Sequence, residues 1–162
     1  MALNYRIVKN DQWETIFFSG KINEDAEVSL AELNEKVGDR CIFNLKEIEA
    51  INSLGVRAWI NFLRNFEQNR QIIFEECPPG IVNQFNMIPS FKGKATIRSL
   101  YAGYICENCG LTKMELFKEG ENLPRNVGAT PLPEVKCSNC GKTMELEELE
   151  DEYFGWISTR AS

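Results

Sequence analysis

Histidine is absent from all 162 residues. This removes the commonest general base near neutral pH, the usual catalytic triads and every imidazole metal site. Positive charge is also short. Lys and Arg number 18 against 24 Asp and Glu, a net of −6, so a protein that coats nucleic acid through general basicity is disfavoured. No apolar run approaches a membrane span, and Met1-Ala2-Leu3-Asn4-Tyr5-Arg6 lacks the apolar core of a signal peptide. Glycines fall singly, at Gly55, Gly80, Gly93 and Gly103 among others, so neither G-x-G-x-x-G nor G-x-x-x-x-G-K-[ST] is present and nucleotide binding of those kinds has no support. The expectation is a soluble, cytoplasmic protein without a familiar active site.

What is present is a core-forming apolar fraction of 43% and a change of character along the chain. Residues 1–100 carry a net of −1 and residues 101–162 a net of −5. In the first part, Tyr5–Lys9 and Trp13–Phe18 read as a hairpin around Lys9-Asn10-Asp11-Gln12, with Ser19-Gly20 closing the second strand. Asp25–Val37 is helix-compatible, and Gly38 is a plausible stop. Cys41–Leu45 suits a buried strand. Ser53 then opens the clearest helix, in which Val56, Trp59, Ile60, Leu63 and Phe66 form one apolar stripe. Gln71–Glu75 reads as a strand, Pro78-Pro79 introduces a helix from Gly80 to about Met87, and Ala95–Ile105 reads as extended. This alternation predicts an α/β fold in which helices cover a mixed sheet.

The strand-to-helix junction is the most informative part of that region. A serine at a helix N-cap accepts a hydrogen bond from a free backbone N–H, and the helix start favours negative charge, so Ser53 offers a favourable place for a phosphoryl group. A plain N-cap role accounts for the same serine. The segment from Asn44-Leu45 to Asn52-Ser53-Leu54-Gly55 resembles the signature of the STAS family, named for sulfate transporters and anti-sigma factor antagonists. Members show a strand ending in Asp/Asn-Leu, a short spacer, and Asp-Ser-x-Gly at a helix start. The resemblance in element order spans roughly residues 1–105. It implies a STAS-like domain whose Ser53 is phosphorylated by a partner serine kinase that acts as an anti-sigma factor. Asn52, Leu54, Gly55 and the helix from Val56 would then form the docking surface. Two positions depart from the family pattern: Asn52 stands in place of its acid, and Leu54 in place of a second hydroxyl.

Of six cysteines, Cys41 and Cys77 lie in or beside apolar stretches, where a thiol serves as a small hydrophobe. The other four form Cys106-Glu107-Asn108-Cys109-Gly110 and Cys137-Ser138-Asn139-Cys140-Gly141. Each C-x-x-C turn puts two sulfurs on one side of a tight loop, and the glycine after it lets the backbone turn closely beneath a metal. Cys106, Cys109, Cys137 and Cys140 supply a tetrahedral four-thiolate shell suited to one structural Zn(II), because a closed shell leaves no position for substrate. A single iron in the same shell would instead resemble rubredoxin and make the chain an electron carrier with a docking domain. Extended stretches after each pair, Thr112–Phe117 and Lys142–Leu146, fit a zinc ribbon.

The division expected is therefore a STAS-like domain over 1–102 and a four-cysteine zinc ribbon over 103–162 with an acidic tail. Six of the eight residues from Glu145 to Glu152 are acidic, and Tyr153-Phe154-Gly155-Trp156-Ile157 is expected to fold back, since an exposed aromatic terminus would be sticky. Lys113, Lys118 and Arg125 read as a solvated face, with a local basic patch as the alternative, and the net charge of this half runs against phosphate. The function expected is a non-enzymatic regulatory adaptor that docks a signalling protein.

Overall fold

The computed structural model describes residues 2–126 and 132–159. Alternating apolar residues pair Asn4–Asn10 (β1) with Trp13–Ile22 (β2) in an unbroken antiparallel register from Asn4↔Ser19 to Asn10↔Trp13. Asp11, at the turn, has φ +46. The chain then alternates: Ala26–Lys36 (α1), Arg40–Ile51 (β3), Ser53–Phe66 (α2), Gln71–Glu75 (β4), Pro79–Met87 (α3) and Thr96–Ile97 (β5). The sheet order is β1-β2-β3-β4-β5, with β1 antiparallel and every later pair parallel. Strands β2 to β5 follow one another across the sheet, so right-handed crossovers put their connecting helices on one face. The α/β alternation and the mixed sheet expected from the sequence are both observed.

The core lies between that face and the helices. Phe43 from β3 is its centre, within 5.1 to 6.3 Å, ring to ring, of Phe18, Trp59, Phe62, Phe66 and Phe74. Trp59 stacks on Phe91 at 5.5 Å, and its indole N–H donates to the Phe91 carbonyl at 3.0 Å, so its one polar atom is satisfied inside. Cys41 and Cys77 are fully buried here, and burial pushes the Cys41 thiol up to about 12 and Cys77 upward as well, which keeps both protonated and unreactive.

Two strands run further than the sequence suggests. Gly20 does not close β2, which continues to Ile22. Its φ of +95 and a virtual Cβ only 2.3 Å from the Ala2 carbonyl oxygen make it an irregularity where the N-terminal segment lies against the strand, and the register with β3 shifts on either side of it. Likewise β3 does not stop at Leu45. It continues through the polar stretch to Ile51, with Ile48 turned inward.

The extended stretch 95–105 divides between two sheets. After β5, Ser99–Ile105 (β6) joins Thr112–Lys118 (β7) and Glu145–Leu146 (β8) in a second, antiparallel sheet ordered β7-β6-β8. The expected division at 102/103 thus falls inside β6. The start of β6 is bound to the first sheet: Leu100 bridges Cys77, and the Tyr101 N–H donates to the Cys77 carbonyl at 2.8 Å. Buried Asn44 strengthens this seam, donating to Glu75 and Glu76, while Glu76 also accepts from the Tyr101 hydroxyl.

Glu150–Tyr153 (α4) and Trp156–Thr159 (α5) follow, and the aromatic terminus folds back as expected. Tyr153, Phe154, Trp156 and Ile157 are buried; Trp156 meets Phe85 of α3 edge-on at 5.8 Å and Phe154 meets Phe117 at 5.5 Å. Asn86 of α3 donates to the Tyr153 carbonyl and accepts the Trp156 N–H, at 2.7 and 2.9 Å. The acidic residues before this segment stay largely at the surface. Among the described residues no helix is long and apolar enough to cross a membrane.

Gly80 gives a direct reading of helix propensity. It lies exposed in the first turn of α3, and a Cβ there meets nothing within 4 Å. Gly80→Ala is expected to stabilise the fold by about 0.5–1 kcal/mol through a smaller unfolded-state entropy. Urea unfolding checks this, and a lower midpoint would contradict it.

Candidate functional site

Two places carry chemistry, and the first is the head of α2. Asn52, not Ser53, is the N-cap: it is extended, and its side-chain oxygen accepts the Gly55 N–H at 2.8 Å. Ser53 is the first helical residue and is exposed, so the N-cap role assigned to it passes to Asn52. The Asn52 amide also donates to Glu24 at 2.9 Å, and this bond is the main cause that holds the Glu24 carboxyl below its ordinary range. These two bonds fix which way the amide points. Aspartate at 52 would keep the cap but would set a second carboxylate against Glu24. Position 52 can therefore lack an acid while a carboxylate remains nearby on another element. Glu24 was not legible in the sequence, because the loop after β2 meets α2 only in the fold.

The neighbours of Ser53 differ in what they can touch. Leu54 is 53% exposed. It borders a groove of about 440 Å³ between α1 and α2, lined also by Glu24, Glu27, Arg57, Asn61 and Phe62. Val56 is half-buried against the core. Gly55 corrects the expectation that it presents a docking surface, because it is buried and faces inward. A Cβ there would stand 1.9 Å from the Ile22 carbonyl oxygen and 2.8 Å from the Asn23 backbone nitrogen, so this glycine exists to let α2 approach the end of β2.

The second place is the cysteine centre. Each C-x-x-C turn closes a narrow hairpin: Ile105 pairs with Thr112 around the first and Lys136 with Thr143 around the second. The backbone bonding of the two turns matches. Gly110 N–H donates to the Cys106 carbonyl and Gly141 N–H to the Cys137 carbonyl, while Cys106 and Cys137 donate to Leu111 and Lys142. Both glycines are left-handed, at φ +83 and +78, which explains the fifth residue of each motif. The four sulfurs lie within 4.8 Å of one another, and Cys106–Cys140 and Cys109–Cys137 are each 3.5 Å apart. A tetrahedron with metal–sulfur bonds of about 2.3 Å has edges of about 3.8 Å, so the cluster could hold one metal ion with small adjustments.

The inner pair, Cys106 and Cys137, is buried, and the outer pair, Cys109 and Cys140, is exposed. The thiols of the outer pair are shifted toward lower values. The Lys142 backbone N–H and then the Asn108 side chain lower the Cys140 thiol to about 6, and the Asn139 side chain and then the Leu111 N–H lower Cys109. No protein-family description matches the chain and no curated protein matches it.

Proposed function

We propose that the chain is a non-enzymatic regulatory adaptor, resembling anti-sigma factor antagonists over its STAS-like part, that docks a signalling protein at the head of α2 and carries a structural zinc ribbon. One observation carries the docking half: Asn52, Ser53 and Leu54 form an exposed step whose leucine borders the α1/α2 groove. A partner that covers Leu54 brings Ser53 into or beside its footprint. A phosphoryl group on Ser53 would sit at a helix N-terminus, one turn before Arg57, so this chain tolerates the modification while the covered surface gains close to two negative charges. The helices on one face of a mixed sheet support the STAS resemblance, and the partner this resemblance implies is a serine kinase with anti-sigma activity. The closed four-thiolate shell supports zinc held for structure, with no position left for substrate.

The test begins with intact-mass measurement of the protein from its own cells, native and denatured. It is expected to show one zinc, together with a phosphoryl group that disappears in Ser53→Ala. Affinity capture should then recover one ATP-binding kinase with wild type and Ser53→Ala, and at least about tenfold less with Ser53→Asp and Leu54→Glu, the loss expected when an interface centre receives an unpaired charge. Equal recovery by all four proteins would sink the docking surface. Iron in place of zinc, with the red colour of a ferric thiolate site, would favour the electron carrier.

A further inference from the structure

The second sheet ends in an open edge. Its order is β7-β6-β8, so β7 has β6 on one side and, among the described residues, no strand on the other. The hydrogen-bonding phase of β7 follows from its two ends. The Leu111 carbonyl accepts from the Cys106 N–H and the Glu119 N–H donates to the Arg98 carbonyl, each at 2.8 Å. Antiparallel pairing alternates, so Lys113, Glu115 and Phe117 bond inward to β6, while Thr112, Met114 and Leu116 direct their N–H and C=O groups outward. Asn122 marks the same phase from outside. Its side chain accepts from the Lys118 N–H at 2.7 Å and donates to the Leu116 carbonyl at 3.0 Å, closing that end of the edge as a strand would. Thr112 and Met114 lie beyond its reach, and Met114 is 54% exposed. A lysine on an edge strand ordinarily discourages pairing, but Lys113 is matched by Glu115, on the same face of the strand, at 3.0 Å.

We propose that β7 pairs with the β7 of a second copy of this chain, antiparallel and centred on Met114, joining the two three-stranded sheets into one. Charge selects this occupant. With Met114 opposite Met114 of the second copy, Lys113 of each chain stands opposite Glu115 of the other, in the non-hydrogen-bonded pairs where side chains come closest. The two intrastrand ion pairs then join in a ring of alternating charge. Registers shifted by two residues put Glu115 against Glu115 or Lys113 against Lys113, and like charges directly opposite work against pairing. A one-residue slip turns the outward groups of one strand toward the inward groups of the other. Of these, the Met114-centred register alone satisfies both charge and hydrogen bonding. In it the two Met114 residues exchange N–H···O=C bonds, Thr112 bonds Leu116 of the other copy, and the exposed thioethers lie side by side. The contact is isologous, so it closes at a dimer and covers the open edge. None of these residues belongs to the head of α2, so the inference stands apart from the docking proposal.

The experiment follows the full chain, as isolated, by sedimentation velocity over a concentration series. Wild type is expected to show a monomer–dimer equilibrium with a dissociation constant of about 1–100 μM, the weak range that suits an interface built on one short strand. Lys113→Glu and Glu115→Lys each set like charges opposite one another at both crossings, and each should weaken self-association at least about tenfold. Mixed in equal amounts, these two variants meet with opposite charges at both crossings, so association should return as a heterodimer. Native mass spectrometry with one variant isotopically labelled reads that heterodimer directly. Met114→Pro removes the central N–H, which faces outward, and should weaken the dimer at least about tenfold while the pairing of β6 with β7 and the melting midpoint stay as in wild type. A wild type that remains monomeric throughout overturns the proposal. A dimer that neither charge variant weakens is held by another surface and overturns it as well, and loss in both variants without recovery on mixing overturns the Met114-centred register.

Discussion

Gly55→Ala is expected to destabilise the protein by about 3 kcal/mol or more, beyond the ordinary range for overpacking, because the added methyl meets main chain. The nearest obstacles are the Ile22 carbonyl oxygen at 1.9 Å, its carbon at 2.3 Å and the Asn23 nitrogen at 2.8 Å, and none of these can rotate aside as a side chain would. Relief requires moving the head of α2 away from the end of β2. That movement stretches the Asn52 N–H bond to the Ile22 carbonyl, now 3.1 Å, and disturbs the cap that Asn52 makes on Gly55. In a chain of this size the loss corresponds to a melting midpoint lower by roughly 6–12 °C. Thermal and urea unfolding read it directly, with Gly80→Ala as the opposite case: the same added methyl, in a helix start with open space. If Gly55→Ala melts within a degree of wild type, α2 does not pack on β2 as described. The consequence for function is specific. Loss of partner capture in Gly55→Ala would report a displaced helix head, whereas Leu54→Glu removes surface contact and should leave the melting midpoint almost unchanged.

The elements that sequence reveals are those whose pattern is set by one face. The α2 stripe is legible because Trp59, Leu63 and Phe66 repeat at helical spacing and all three are buried. The cysteine cluster is legible because four sulfurs and two glycines must fall at fixed spacing whatever surrounds them. What stayed hidden depends on neighbours distant in sequence. β3 continues past Leu45 because Ile48, Ala50 and Ile51 pair with Gly20, Lys21 and Ile22, although Lys46-Glu47 looks like a strand end. Gly20 looks like a terminator until the Ala2 carbonyl is seen to occupy the space of its missing side chain. At the head of α2, Ser53 and Leu54 were visible as residues, but the N-cap assignment turned on one residue of register. Glu24 reaches Asn52 only through the fold.

Cys106→Ser should have the largest effect on the second sheet. Cys106 is fully buried, its sulfur is 3.5 Å from Cys140, and its backbone closes the first turn through bonds with Gly110 and Leu111. Replacing one thiolate with a neutral hydroxyl is expected to weaken Zn(II) binding by more than about 100-fold, beyond the range for loss of an outer partner. Because metal binding can supply folding free energy directly, and the cysteine turns close the hairpins at one end of the second sheet, the effect on order is expected to be local to that sheet. Hydrogen exchange of Cys106→Ser, or of wild type stripped by chelator under reducing conditions, should lose protection at 105–118 and 135–146 while β2, β3 and β4 keep theirs. The reason lies in where the aromatic core sits. Phe18, Phe43, Trp59, Phe66, Phe74 and Phe91 make their ring contacts within the first sheet and its helices, and need nothing from the cysteine turns. Protection lost throughout the chain would instead make the two sheets one cooperative unit, joined through the Cys77–Leu100 bridge and the Asn86 contacts to Tyr153 and Trp156. In that case metal occupancy would also govern the head of α2, and chelation would weaken partner capture as strongly as Leu54→Glu. Protection unchanged everywhere would remove the metal from the stability of the fold and leave the exposed outer sulfurs to be explained by another chemistry.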